Sequence, residues 1–301
     1  MKPTIGISAC LNGFEYRYNG TAVNDEIINK IKSLFNLVNV CPEVEIGLGI
    51  PRKPIRLHKV GDTFKVIQED TKADITEKLE EFSHKFIRKF NDKIHGFILK
   101  AKSPSCGIGN CKYYVNDKPY GRTYGVFARI IKEFLPYLPI TDEGRLKNKN
   151  LLWEFLTKVF MLFRFQNSKS TISELIEFHT RHKYIFMCIS QKHLKIMGNL
   201  LAQHKKNNLK DIQLNYEETF KDMLKLSFKR SNIVNTLTHI FGHLSNRLTK
   251  IEKQNFLRII RNYKNSKIEL SSVIEIFKIY ALRFDDQYLI AQHLLNPFPE
   301  I

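Results

Sequence analysis

The sequence has few of the residues that staple a small secreted protein or carry a chain across a membrane. Its 301 residues hold five cysteines, an odd number without the short, regular spacings of a disulfide framework. No apolar run reaches the roughly 20 residues that a membrane-spanning helix needs. The chain starts without a signal-peptide pattern. These absences predict a cytoplasmic protein with no membrane partner, whose cysteines stay reduced and serve as ligands or nucleophiles.

Negative charge is also scarce. The chain has 48 Lys and Arg against 30 Asp and Glu, a net charge of +18 at pH 7. Such an excess indicates a polyanionic partner, nucleic acid before membrane. A generally lysine-rich composition is the alternative explanation. The charge is uneven, because residues 1–145 carry +6 and residues 146–301 carry +12. Polyanion binding is therefore assigned mainly to the second half.

Hydrophobic periodicity divides the chain at about residue 145. Before it, short apolar runs alternate with helical patterns, and such alternation predicts a Rossmann-like parallel sheet in an α/β domain, residues 1–145. The predicted strands cover 4–8, 37–41, 64–67 and 96–100, and the predicted helices cover 25–35, 71–90 and 122–135.

After a polar, lysine-rich stretch at 145–150, which is predicted to be a linker, almost no strand pattern remains. Helical periodicity predicts an all-α domain over residues 146–301. Its predicted helices cover 148–166, 171–189, 192–205, 215–228, 231–247, 249–262 and 270–283.

Three cysteines lie at the carboxyl ends of three predicted strands of the first domain: Cys10, Cys41 and Cys106. The carboxyl ends of parallel strands share one edge of a sheet, where ligands bind in open α/β folds. Three thiolates in one pocket indicate zinc or an iron–sulfur cluster. On a four-iron cluster, three cysteines would leave one iron open as a Lewis acid. The alternative is that these are simply buried cysteines, since free Cys is among the most buried residue types.

The remaining metal-ligand candidates have weaker contexts. Cys111 follows Cys106 closely and could be a spare ligand, whereas Cys188 lies on an apolar helix face and is predicted to be core. Histidine pairs at helical spacing can bind metal, but none carries the Glu of a metalloprotease motif, and buried hydrogen bonds or RNA-phosphate contacts are the preferred interpretation. These pairs are His179 with His182 and His239 with His243.

Polar residues beside the three cysteines could carry chemistry. Glu43 comes two residues after Cys41 and could deliver a proton or activate water. Ser103 comes three residues before Cys106 and could position that water or relay a proton. Their structural alternatives are a helix N-terminal acid and a Ser-Pro turn residue. The loop 47–56, rich in Gly, Pro and Arg, could bring backbone N–H groups and guanidinium donors to an anion.

Three motifs in order resemble the thiouracil desulfidase (TudS) family over most of residues 1–145. They are Ser8–Leu11 with Arg17–Gly20, Cys41–Arg52, and Lys100–Gly107. The resemblance implies a [4Fe–4S] cluster held by Cys10, Cys41 and Cys106, with the fourth iron free to take the sulfur of a thiocarbonyl substrate. It also implies that Glu43 and Ser103 form an acid/base pair.

The helical half is similar to the YbgA-type domain that is often fused to this family. The segments that carry the similarity are Glu174–Lys183, Asn235–Gly242 and Gln292–Glu300. The fused arrangement resembles desulfidases that convert 4-thiouridine in tRNA to uridine and sulfide, and it implies that the helical domain binds the tRNA. Small thiolated nucleobases are possible substrates as well. The alternatives are a desulfidase of free thiouracil or thionucleotides, or a non-catalytic cluster-containing protein that binds nucleic acid.

Overall fold

The protein divides into two compact units, Met1–Phe155 and Leu156–Glu300. The structure is a computed structural model, and it describes residues 1–203 and 208–300. Each unit has its own set of buried apolar side chains. Within the described ranges, no helix is both long and apolar enough to cross a membrane.

Eight strands and five helices lie in the first unit before residue 147. The strands are β1 (Thr4–Ser8), β2 (Asn36–Val40), β3 (Ile55–Val60), β4 (Thr63–Gln68), β5 (Phe97–Leu99), β6 (Cys111–Val115), β7 (Lys118–Thr123) and β8 (Ile140–Asp142). The helices are α1 (Glu26–Ile31), α2 (Pro42–Glu45), α3 (Thr76–Phe90), α4 (Val126–Phe134) and α5 (Glu143–Leu146).

A four-stranded parallel sheet in the order β2-β1-β5-β8 forms the centre of this unit. Ile5 and Ile7 of β1 are fully buried, as expected for a central strand of a parallel sheet covered on both faces. Phe97 of β5 packs edge-on against Phe127 of α4, with ring centroids 6.0 Å apart. The predicted parallel α/β fold is confirmed.

A second four-stranded sheet, in the order β4-β3-β6-β7, was not predicted beyond its strand β4. Its β3–β4 and β6–β7 pairs are antiparallel, and β3 pairs with β6 in parallel. The turn between β6 and β7 is Asn116-Asp117, both with positive φ, as a type I′ hairpin turn requires. The helix predicted over 122–135 is wrong at its start, because Arg122 and Thr123 end strand β7.

The helix predicted from residue 71 also starts later than expected, at Thr76. The side chain of Asp74 accepts hydrogen bonds from the backbone N–H and the hydroxyl of Thr76, which favours a turn at this point. Asp74 also forms an isolated antiparallel bridge with Ile67 of β4. Residues 71–75 therefore form a turn that pairs with β4, and they are not the first turn of the helix.

The second unit is helical, as predicted. The division between the two units falls within helix α6 (Lys149–Gln166). The helices that follow it are α7 (Ile172–Ile189), α8 (Gln191–Ala202), α9 (Leu209–Leu224), α10 (Arg230–Leu244), α11 (Lys250–Lys264), α12 (Leu270–Arg283) and α13 (Gln287–Ile290). Thr171 and Thr249 start α7 and α11 with reciprocal capping boxes. The last two residues of the helix predicted over 192–205 lie outside the described residues. The stretch 145–150 is not a linker, since most of it belongs to α5 and α6.

Candidate active site

The carboxyl ends of β1, β2 and β5 meet at one edge of the parallel sheet, beside a cavity of about 430 Å³. Cys10 lies in a short 3-10 turn directly after β1, and Cys41 is the N-cap residue of α2 after β2. Cys106 lies in the loop after β5. All three cysteines line this cavity, so the structure brings together the three positions that the sequence predicted at one sheet edge.

Burial controls the protonation of these thiols. It raises the pKa of Cys10 to about 12, with a further increase from the nearby Cys41, and it raises the pKa of Cys41 as well. The pKa of Cys106 is raised well above its usual value, again because of burial. Buried thiols of this kind release their protons when a metal replaces them.

The donor set fits a polynuclear cluster. In the described ranges, no group of three or more His, Cys, Asp or Glu side chains is arranged to hold a single metal ion. In an iron–sulfur cluster each thiolate binds its own iron, so the sulfurs surround a volume rather than converge on one point. Cys10, Cys41 and Cys106 come from separate segments and line one cavity, and cysteine thiolates are the usual ligands of such a cluster.

Glu43 lies in the first turn of α2, and Ser103, sixty residues later in the chain, lies in the loop after β5. The Ser103 hydroxyl donates to Glu43 Oε1 over 3.4 Å. The same hydroxyl accepts hydrogen bonds from the backbone N–H groups of Ser105 and Cys106, at 3.2 and 3.1 Å. Ser103 is therefore both the turn residue of the structural interpretation and a neighbour of the candidate acid/base group.

The sequence predicts that the loop 47–56 brings guanidinium donors to an external anion, and the structure shows a different partner for Arg52. Its Nε lies 2.8 Å and its Nη2 2.7 Å from Glu43 Oε2, and its side chain is only 3% exposed. Nη2 also donates to the carbonyl of Tyr16 at 2.9 Å and lies 3.9 Å from Cys41 Sγ. The anion that this guanidinium binds is the protein's own carboxylate.

A second ion pair at the cavity, between Lys100 and Glu143, was also missed. Lys100 Nζ pairs with Glu143 Oε1, and Glu143 Oε2 accepts a hydrogen bond of 2.9 Å from the Ala101 N–H. The backbone N–H of Lys100 donates to the Ser8 hydroxyl at 2.9 Å. The sequence shows Lys100 directly after a buried strand. The proximity of Lys100 to Glu143, in the first turn of α5, depends on β5 and β8 being neighbours.

Helix α4 holds the cysteine loop in place. The N–H groups of Gly125, Val126 and Phe127 donate to loop carbonyls, among them those of Gly107 at 2.8 Å and Ser105 at 2.9 Å. A Cβ added at Gly125 would lie 2.5 Å from the backbone carbon of Ser105, so only glycine permits this approach. The loop that carries Cys106 is thus fixed by hydrogen bonds to a helix start.

The other candidates lie elsewhere. Cys111 lines a second cavity and not the first, and Cys188 is fully buried in α7, as predicted. Three of the candidate histidines make hydrogen bonds: His179 Nδ1 with the Tyr216 hydroxyl at 3.0 Å, His182 Nδ1 with the Phe178 carbonyl at 2.8 Å, and His243 Nε2 with Asp286 Oδ2 at 3.0 Å. The His182 ring also lies 4.3 Å, centroid to centroid, from that of His293.

Comparison with known proteins gives the family. Residues 5–143 match the 2-thiouracil desulfurase family. The uncharacterized protein YbbK of Bacillus subtilis (strain 168) is 33% identical over 138 residues, which is 42% of this chain and 88% of YbbK. The chain belongs to the 2-thiouracil desulfurase family. Residues 183–299 match a second family, DUF1722, described as a protein of unknown function.

Two further proteins are similar to this family member. The uncharacterized protein YbgA of Escherichia coli (strain K12) is 23% identical over 150 residues, which is 48% of this chain and 89% of YbgA. Among solved structures, the [4Fe-4S]-dependent thiouracil desulfidase TudS matches at 24% identity with a TM-score of 0.38, over 48% of this chain and 94% of the TudS chain.

Proposed function

We propose that this protein is a desulfidase that replaces the sulfur of a thiolated pyrimidine with oxygen, using a [4Fe–4S] cluster held by Cys10, Cys41 and Cys106. The observation that carries the proposal is the single cavity of about 430 Å³ lined by these three thiols together with Glu43 and Ser103. Membership of the 2-thiouracil desulfurase family supports the same chemistry. When bound, such a cluster would supply an open iron as a Lewis acid for the thiocarbonyl sulfur.

The protein's own groups handle the water and its protons. The overall reaction adds one water to the C=S carbon and releases hydrogen sulfide. The C=S bond becomes C=O, and nothing is oxidised or reduced. Glu43 takes a proton from the attacking water through Oε1, the oxygen that faces Ser103, and Ser103 holds that water in position. Arg52 binds Oε2, so Oε1, which also accepts the hydrogen bonds of Ser103 and Ser105, is the oxygen that acts as the base.

We further propose 4-thiouridine in tRNA as the substrate, with uridine as the product. In this proposal residues 1–145 carry the chemistry, and residues 146–301 bind the RNA because they hold +12 of the net charge of +18. A free base does not require a polyanion-binding domain, whereas a modified base in folded RNA must be taken out of its stack, which costs a few kcal/mol that phosphate contacts can offset. Cytoplasmic tRNA is the natural pool for such an enzyme.

The test is desulfuration by anaerobically prepared, iron-loaded, full-length protein. Three substrates are compared: tRNA that contains 4-thiouridine, the free nucleoside 4-thiouridine, and free 2-thiouracil. Nucleoside mass spectrometry measures the remaining 4-thiouridine, and a colorimetric assay measures sulfide. Loss of 4-thiouridine from tRNA with release of equimolar sulfide is the expected result.

Glu43→Gln and Ser103→Ala variants serve as matched controls in this assay. Both are expected to keep the iron and to lose about 10²–10⁴-fold in rate, the usual contribution of general acid/base catalysis. Activity on thiouracil alone would refute the tRNA assignment and leave a free-base desulfidase. No sulfide from any of the three substrates would refute the enzyme and leave a cluster-containing binding protein.

A further inference from the structure

Two segments of the helical unit that resemble a YbgA-type domain, Glu174–Lys183 and Gln292–Glu300, lie against each other. The backbone N–H of His293, which follows α13, donates to the carbonyl of Arg181 in α7 at 2.9 Å. The ring of His293 lies 4.3 Å from that of His182, centroid to centroid. The proposed desulfuration uses neither histidine, so the pairing of the two rings calls for a separate explanation.

His182 has a buried ring nitrogen without a partner. The residue is 1% exposed, and its Nδ1 lies 2.8 Å from the carbonyl oxygen of Phe178. Because a carbonyl only accepts hydrogen bonds, Nδ1 carries the proton of the neutral ring and Nε2 is left as an acceptor. Nε2 has no hydrogen-bond partner among the residues that the structure describes. Buried polar atoms are rarely left in this state, so Nε2 marks a place where a ligand atom can bind.

Arg164 of α6 is a largely buried cation without an acid. Its Nη1 is buried and lacks a hydrogen-bond partner, and its guanidinium forms no ion pair within residues 1–203 and 208–300. Burial lowers the pKa of Arg164 to about 10. The next residue, Phe165, packs 5.3 Å from the ring of Phe178, which itself lies 4.1 Å from the ring of His182. Burying a charge is costly unless it is paired, and a bound anion would offset that cost.

The charges that act on the two histidines are positive. Burial lowers the pKa of His182 well below its usual value, and His293, Arg164 and Arg181 lower it further. Burial also lowers the pKa of His293 to about 3, with Arg164 and Arg181 adding to the shift. Arg181 is exposed and pairs with Glu177 at 2.7 Å, which leaves Arg164 as the unneutralised charge. An anion bound beside these rings would favour their protonated form.

We infer that Arg164, His182 and His293 form an oxyanion site of the helical unit, which takes a phosphate group together with one proton. Arg164 donates to the anion from Nη1. The proton comes from the solvent and goes to His182 Nε2, which then donates to the anion as well. His293 is only half-buried, and it leaves the site open to the solvent on its side.

Phosphate suits this site better than a carboxylate. The three side chains come from α6, α7 and the segment after α13, so their donors reach the ligand from separate directions. A tetrahedral anion has oxygens in several directions, whereas a carboxylate is planar and offers two. The phosphate belongs either to a small free anion or to the phosphodiester of a nucleic-acid strand. All three residues lie in the second unit, so the inference does not depend on the desulfidase reaction.

The test measures anion binding without any thiolated substrate, so its outcome is separate from that of the proposed function. Isothermal titration calorimetry of the full-length protein compares sulfate, a short oligouridylate without terminal phosphates, and acetate. Sulfate replaces free phosphate because its charge is constant between about pH 6 and about pH 8, the range in which a histidine beside an anion titrates. Both pH values are measured at one ionic strength, since salt screens charges.

Two variants remove the proposed donors singly. Arg164→Gln removes the buried cation, and its matched control is Arg258→Gln, which removes an exposed cation of α11 in the same unit. His182→Gln keeps a polar side chain but takes up no proton in this pH range. Urea denaturation of each variant verifies that it is folded before binding is measured.

We expect sulfate or the oligouridylate to bind about tenfold or more tightly than acetate near pH 6, and about fivefold or more weakly near pH 8, because the anion binds with a proton. Arg164→Gln should lose about tenfold or more of that affinity, since a charge-assisted hydrogen bond is lost, and Arg258→Gln should stay within about twofold of the parent. His182→Gln should bind with little dependence on pH.

The pattern among the probes identifies the source of the phosphate. Tighter binding of the oligouridylate than of sulfate supports the phosphodiester of a strand, and binding of sulfate alone supports a small free anion. The site would be overturned if acetate bound as tightly as the other probes, if Arg164→Gln and Arg258→Gln weakened binding equally, or if the parent bound with the same affinity at both pH values.

Discussion

Ser105 donates a hydrogen bond of 3.0 Å from its hydroxyl to Glu43 Oε1, the carboxylate oxygen that Ser103 also approaches, at 3.4 Å. Ser105 is fully buried, whereas Ser103 is partly exposed to the cavity. The shorter contact therefore comes from the serine that sequence reasoning did not select. Its geometry makes Ser105 a positioning residue for Glu43, while Ser103 remains the hydroxyl that can reach a substrate.

Replacing Ser105 with alanine should lower kcat by about tenfold to a hundredfold, because a hydrogen bond to a charged group contributes about 1.5–3 kcal/mol and Glu43 loses this restraint. KM and iron content should stay close to those of the parent. Steady-state desulfuration at equal iron loading checks this. Exposed Ser33→Ala is the control, and a Ser105→Ala enzyme with the parent's kcat would show that Ser105 only fills space.

Alanine variants of the three cavity cysteines should lose iron, whereas alanine variants of the other two cysteines should keep it. Alanine at Cys10, Cys41 or Cys106 should remove the brown colour of anaerobically reconstituted protein, because each is proposed to supply one thiolate. Alanine at Cys111 or Cys188 should leave about four irons and four sulfides per chain, as expected for a [4Fe–4S] cluster. Iron and sulfide assays with visible absorption spectra give the answer. Stoichiometric zinc without iron in the parent would contradict the cluster.

Removing Arg52 should destabilise the desulfurase-family region. Arg52→Gln leaves the carboxylate of Glu43, which is 12% exposed, without its cation, and breaking a buried ion pair on one side costs about 3–5 kcal/mol. Arg52→Lys keeps the charge but not the two contacts to Oε2, so its loss should be smaller. Urea denaturation followed by circular dichroism measures the shift. The exposed Arg88→Gln is the control, and matching midpoints for it and Arg52→Gln would refute this account.

Acid should destabilise the helical unit through its buried histidines. Burial lowers the pKa of His179 to about 4 and that of His293 to about 3, and it lowers the pKa of His182 well below its usual value. Nearby cationic groups add to these shifts: Lys183 beside His179, and Arg164 and Arg181 beside the other two. Because the folded pKa values lie below the unfolded value, this contribution to stability is complete above about pH 6.5 and is lost as pH falls toward 4.

For His179 the loss between pH 7.5 and pH 5.0 should be about 2 kcal/mol. His179→Gln should therefore make the free energy of unfolding less dependent on pH by about that amount, while a hydrogen bond to the Tyr216 hydroxyl can be kept. Chemical denaturation at the two pH values measures the difference. Exposed His239→Gln should follow the parent, and identical pH dependence in both variants would show that His179 does not contribute.

Sequence reasoning succeeded where the signal was local. The helices of the second half were predicted because apolar residues recur there with helical period, and the cysteines were placed together because parallel strands end at one edge of a sheet. It failed for the second sheet. Strand β7 contains Pro119 and Gly121, which break a strand pattern, and its exposed face carries lysine and tyrosine in place of apolar alternation. The turn at Asn116-Asp117 was the signal that could have revealed this hairpin.

The sequence by itself determined the two types of region, the strand ends that carry Cys10, Cys41 and Cys106, and the excess of positive charge. Tertiary structure alone decided which partners the polar side chains have. The contacts of Glu43 with Arg52 and Ser105 join segments 9 and 62 residues apart, and they depend on loop paths and rotamers that no local periodicity encodes. The same holds for the ion pair of Lys100 with Glu143, because the two residues become neighbours only when β5 pairs with β8.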